Sequence, residues 1–171
     1  MSGTTSIEEE LTAFGQAYDY DVSYLLQLND ASPGAFAAFR AAQALSSFRE
    51  ELPLDAHFVT RITAMQGEDC GPCAQLNLRM AVEAGVDREL LATLLDSPAQ
   101  LPSPLQDVRA HTQAVVTGAV QDHERTKRLR QQYGEAAFAE IGACVAGSRI
   151  YPTLKRALLG QSHCQKLTLE F

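Results

Sequence analysis

Apolar positions in this chain recur three and four residues apart along most of its length, and strand-like alternation is scarce, which predicts an all-helical protein. Ser6-Ile7-Glu8-Glu9 has the form of a capping box, and Ile7, Leu11 and Phe14 then fall on one helical face. A second helix is expected over Val22 to Leu28, stopping near Asn29-Asp30. Ser32-Pro33 opens a third, whose alanine-rich body runs from Ala35 to Leu45. After the break at Pro53, Phe58, Ile62 and Met65 share one side of a helix from Leu54 to Gln66, closed by Gly67.

The next helix opens on Cys70-Gly71-Pro72-Cys73 and runs to Ala84, with Gly85 as its stop. Asp87 caps a short helix carrying Leu90, Leu91, Leu94 and Leu95. Pro98 to Pro104 is an irregular connection, and Ser103-Pro104 then starts a helix through Leu105, Val108, Val115 and Ala119. Asp122 is expected to cap a polar helix ending at Gly134, and Glu135 to Leu159 a last helix broken or kinked at Pro152. Residues 161–171 carry no clear pattern. Short connections and the lack of a repeat predict a single domain over residues 1–171.

Composition narrows the function classes. Hydrophobic residues make up 46% of the 171 and charged residues 20%, an ordinary globular balance. The net charge of −7 argues against a nucleic-acid partner, because an acidic surface repels phosphates. The one basic run, Arg125 to Arg130, is interrupted, lacks aromatic residues and reads as a solvated helix face. No apolar stretch reaches the roughly 18 residues that a membrane span requires. The first ten residues lack a basic segment followed by an apolar run, so a cytoplasmic protein is expected.

In a reducing compartment, a close cysteine pair points to catalysis or metal binding rather than to a structural disulfide. Cysteines three apart at a helix start lie on one side of one turn, beside unpaired amides and the positive end of the helix dipole. A free thiol titrates near pH ~8.5 and is only about 3% thiolate at pH 7. A lowering by about two units, usual for such motifs, raises that to about 75%. A thiolate there can attack an oxidised sulfur or a peroxide oxygen, and the second thiol resolves the product as a disulfide. Gly71 and Pro72 keep the spacer small and stiff. Glu68, close before the pair, is a candidate proton acceptor or else a plain helix-start acid. His57 is a second candidate base or else a core histidine. Other readings stay open: half of a zinc site completed by His163-Cys164, or buried cysteines with no chemistry. Cys144, between apolar neighbours, reads as core, and Cys164 receives no role.

Met65-Gln66-Gly67-Glu68-Asp69-Cys70-Gly71-Pro72-Cys73-Ala74-Gln75-Leu76, followed by Ala81-Val82-Glu83-Ala84-Gly85-Val86, resembles the alkyl hydroperoxidase D and carboxymuconolactone decarboxylase superfamily. The resemblance covers about residues 54–95 and is to the Glu-Asp-Cys-Gly-Pro-Cys variant of the pattern. It implies an all-α helical bundle that assembles as a homotrimer or homohexamer and needs no cofactor or metal. It further implies a peroxidase whose second cysteine, here Cys73, attacks the hydroperoxide while Cys70 resolves it. The reductant would be a partner thiol protein, in the family often lipoamide-bearing. Two positions depart from the peroxidase pattern. Asn77 stands where a histidine is usual, and Phe58, beside His57, where a glutamate is usual. Asparagine cannot act as a base, so Glu68 or His57 would have to replace the usual proton relay. The competing functions are a non-enzymatic redox-sensing or interaction protein and a cofactor-free lyase holding a small acid through Arg61 or Arg79.

Overall fold

The computed structural model describes residues 6–160 and 167–171. Its elements are α1 (Ile7–Tyr18), α2 (Ser23–Ala31), α3 (Pro33–Ala42), α4 (Ala44–Ser47), α5 (Leu54–Gly67), α6 (Gly71–Glu83), α7 (Arg88–Asp96), a single 3-10 turn (Pro98–Gln100), α8 (Ser103–Thr117) and α9 (His123–Leu159). Among the described residues there is no strand. The fold is all-α, as the apolar spacing predicts.

The local signals act where the sequence puts them. Ser6 and Glu9 form the capping box reciprocally, at 2.9 and 3.1 Å. Ser32 accepts from the Ala35 amide with Pro33 in the first turn, and Asp87 and Asp122 cap α7 and α9. Two expectations shift. The helix expected from Ala35 to Leu45 is interrupted at Gln43, and the short α4 beyond it packs on α9. There the backbone of Leu45 and Ser46 lies so close to Gly147 that a Cβ on the glycine would sit 2.3 Å from the Ser46 nitrogen. The break expected at Gly134 is present, with a φ of 85° and ψ of 169° interrupting α9, whereas the one expected at Pro152 is not. Proline costs one helical hydrogen bond, but Pro152 is buried and the backbone stays helical through it.

Burial divides into two clusters. The larger is built on α5, α6, α7, α8 and α9, with Val59, Ile62, Leu78, Leu91, Val108, Leu129 and Ile141 among its members. The second lies where α1, α2 and α3 cover the adjoining parts of α5 and α6; it holds Tyr20, Tyr24, Leu25, Phe36, Met65 and both Cys70 and Cys73. The dithiol is therefore roofed by the N-terminal helices. Residues 167–171 run past α6 and α7, tied by Gln75 to both main-chain groups of Thr168 and by Arg88 to the carbonyls of Leu169 and Phe171. Among the described residues, no helix is long and apolar enough to cross a membrane.

Candidate active site

The dithiol sits on the turn between α5 and α6. Three consecutive amides, of Glu68, Asp69 and Cys70, bond back to the last carbonyls of α5 at 3.0 to 3.1 Å. Asp69 adopts a left-handed φ of 54°, a conformation that short polar side chains tolerate. Gly67 permits close approach to α8, since a Cβ there would stand 2.9 Å from a Val116 methyl. Cys70 is the N-cap of α6, and Pro72 lies in the first turn, where a missing N–H costs nothing. Cys70 and Cys73 are joined as a disulfide with their Cα atoms 5.3 Å apart. Both are buried, at 7% and 2% exposure.

Cys73, and not Cys70, faces a cavity of about 420 Å³. Its walls are mostly apolar: Leu11 and Phe14 from α1, Tyr24 and Leu25 from α2, Phe36 from α3, and Met65, Leu76, Met80 and Tyr151 from the bundle. Glu10 and Arg40, both about half exposed, pair at 3.1 Å and belong to its outer wall. This size suits a small organic molecule.

Tyr20 and Asn77 present polar groups to Cys73 or its cavity, and Lys155 lies against the Tyr20 ring. The Tyr20 hydroxyl lies 3.6 Å from the Cys73 sulfur and 3.1 Å from the Tyr24 hydroxyl. Burial pushes the Tyr20 hydroxyl up to about 12, against the Tyr24 hydrogen bond, so it keeps its proton at neutral pH and can donate to a thiolate. Lys155, 4% exposed, places its ammonium 5.1 Å from the Tyr20 ring and pairs with Asp21 at 3.6 Å. Asn77, on the cavity wall, donates to the Cys73 carbonyl at 2.8 Å, and its Oδ1 is buried without a hydrogen-bond partner. Arg61 also lines the cavity. Its Nη2 reaches the Met80 sulfur at 3.7 Å, and its guanidinium stands 5.4 Å over the Phe58 ring.

Glu68 and His57 do not line this cavity. The Glu68 carboxylate accepts from Arg149 and Arg156 at 2.5 Å each, and Arg156 also donates to the Glu68 carbonyl at 2.8 Å. Seven residues apart on α9, the two arginines project from one face and grip the turn before the dithiol. Burial pushes the Glu68 carboxyl up, but the two guanidiniums outweigh it and hold it below the usual range. His57 is 3% exposed with its Nδ1 unpaired, next to the Phe58 ring. Burial first, then the charges of Arg61 and Arg49, lowers it to about 4, so it is neutral at pH 7. Cys144 is fully buried, and burial raises its thiol to about 11, as befits a core residue. His163 and Cys164 lie outside the described residues. Among those described, no group of three metal-ligating side chains comes together.

Sequence reasoning missed Tyr20, Lys155, Arg149 and Arg156. Their spacing from the dithiol in the chain carries no local signal; only the aromatic pair Tyr20 and Tyr24, one helical turn apart, hints at a shared face.

The class these features define is an all-helical fold presenting a cysteine pair at a helix start beneath a small apolar cavity. A structure of this fold is known: a Cys-to-Ala variant of the debrominase Bmp8 in complex with 2,3,4-tribromopyrrole. It superposes with a TM-score of 0.73 over 92% of this chain and 85% of that one, at 17% identity. At that identity the likeness shows the fold. No family model matches the chain, and no curated protein matches it in sequence.

Proposed function

We propose that this chain is a dithiol oxidoreductase of the alkyl hydroperoxidase D type, reducing organic hydroperoxides at Cys73. The observation that carries this reading is the asymmetry of the pair: Cys73 faces the cavity and Cys70 does not. A thiolate at Cys73 attacks the terminal peroxide oxygen. The O–O bond breaks, the alcohol leaves with a proton, and Cys73 becomes a sulfenic acid. The Cys70 thiol then attacks that sulfur, water leaves, and the disulfide forms. The sum is one hydroperoxide and two thiols giving one alcohol, one water and one disulfide.

Tyr20 and the amides of the first turn of α6 favour the thiolate. Glu68, engaged by two arginines, holds the turn in place instead of exchanging protons. A dithiol protein, often lipoamide-bearing in the superfamily that the chain resembles, restores the reduced pair, and the working assembly is a homotrimer or homohexamer. Reduced protein given one equivalent of cumene hydroperoxide should lose two free thiols and release one equivalent of cumyl alcohol. Unchanged thiol counts would sink the proposal.

A second reading is favoured by the apolar, aromatic character of the cavity, which is roomier than a small peroxide requires. In that reading the dithiol reduces a halogenated ring: one carbon–halogen bond and two thiols give a carbon–hydrogen bond, a hydrogen halide and the disulfide. The structural neighbour is a debrominase, which makes 2,3,4-tribromopyrrole the natural probe. Bromide release matched to thiol loss would favour this reading over the first.

A further inference from the structure

Arg61 is a cation with no anion. It is largely buried, its Nε is shielded from water without a hydrogen-bond partner, and among the described residues no carboxylate lies within salt-bridge distance of it. The residues outside the described set, Met1 to Thr5 and Gln161 to Lys166, include no aspartate or glutamate. The one acid on the cavity wall, Glu10, is held through both its oxygens by Arg40. The contacts Arg61 does make, to a thioether and an aromatic face, leave most of its donors free. A buried charge without its opposite is costly, and proteins seldom keep one idle.

Asn77 shares the cavity wall, though its Oδ1 is shielded from water. A cation without its anion, on the wall of a mostly apolar chamber that also exposes Cys73, fits the usual composition of a small-molecule site. We propose that Arg61 is the counter-ion of an anionic substrate: a ring-sized or short-chain apolar body carrying one carboxylate, bound in the Cys73 cavity. This rests on the dithiol reading for what happens at Cys73, but the binding itself does not require that chemistry. Arg79, the other basic residue that the sequence offers for a small acid, lies apart from the cavity with its guanidinium over the Phe171 ring.

The test is calorimetry on the oxidised full-length chain, in which no thiol at the site can react, with 4-bromobenzoate and its neutral isostere 4-bromobenzamide. The wild type should bind the carboxylate about 10- to 100-fold more tightly than the amide, the worth of one charge-assisted bond. Arg61→Gln should bring the two within about threefold, Arg61→Lys should keep part of the preference, and Arg79→Gln should keep all of it. The proposal is overturned if the wild type shows no preference for the anion, or if a folded Arg61→Gln retains it. If Arg61→Gln does not fold, the wild-type comparison still decides. Loss of anion preference with thiol turnover intact would overturn this inference alone, whereas anion binding without peroxide-dependent thiol loss would overturn only the peroxidase reading.

Discussion

Replacing Glu68 with glutamine separates two roles for the acid beside the dithiol. The wild-type carboxylate, 7% exposed, accepts two charge-assisted bonds at 2.5 Å. Each is worth about 1.5–3 kcal/mol where both partners are buried. Here the side chains of Arg149 and Arg156 are 42% and 41% exposed, so water recovers much of that value. The Arg156 bond to the Glu68 carbonyl, at 2.8 Å, survives the substitution. The expected loss is therefore about 1–3 kcal/mol at pH 7, read by urea denaturation. The sign with pH follows from the direction of the shift. The folded-state carboxyl titrates below its unfolded value, so its contribution is present above the unfolded value and lost as pH falls through the folded one. The gap between wild type and Glu68→Gln should accordingly narrow below about pH 4. Alkylation of Cys73, measured alongside, should slow by less than the roughly 100-fold expected when a general base is removed. A variant as stable as wild type to within about 0.5 kcal/mol, yet slowed beyond about 100-fold, would refute the clamp and restore Glu68 as the proton acceptor.

Tyr20→Phe removes the hydroxyl beside the Cys73 sulfur; in a Cys70→Ser background the pH dependence of Cys73 alkylation should shift up by about one unit, and an unchanged profile would contradict the hydrogen bond. Gly147→Ala forces a Cβ against the backbone of α4 and should cost about 1–3 kcal/mol in a denaturation experiment, whereas Gly142→Ala, which meets nothing, should be neutral or stabilising. Glu140, 6% exposed, accepts from the amides of Glu50, Glu51 and Leu52. Burial pushes its carboxyl up, but those amides prevail and hold it low, so Glu140→Gln should lose about 1–3 kcal/mol at neutral pH, with less difference in acid.

Much of the helical framework was readable because its signals are local. Ser6, Ser32, Asp87 and Asp122 cap helices through bonds spanning two or three residues, and the Gly134 break needs only a positive φ. The position of the dithiol at a helix start follows from the same kind of rule. The site around it does not. Tyr20 meets Cys73 across 53 positions in the chain, and Arg149 and Arg156 meet Glu68 across 81 and 88. Such contacts depend on which helix faces pack together, which periodicity alone leaves open. Pro152 illustrates the converse: a local rule for a kink yields where tertiary packing buries the residue and holds the helix. Glu68 was visible as an acid beside two cysteines, but its partners on α9, Arg149 and Arg156, were not.

In the proposed chemistry Cys73 is the attacking sulfur and Cys70 the resolving one. Mass spectrometry of reduced Cys70→Ser after one equivalent of hydroperoxide tests it most directly, with the nascent sulfenic acid trapped by dimedone. Stoichiometric labelling of Cys73 is expected there, with labelling of Cys70 in Cys73→Ser slower by orders of magnitude. Equal or faster labelling of Cys70, or no labelling of Cys73, would contradict it.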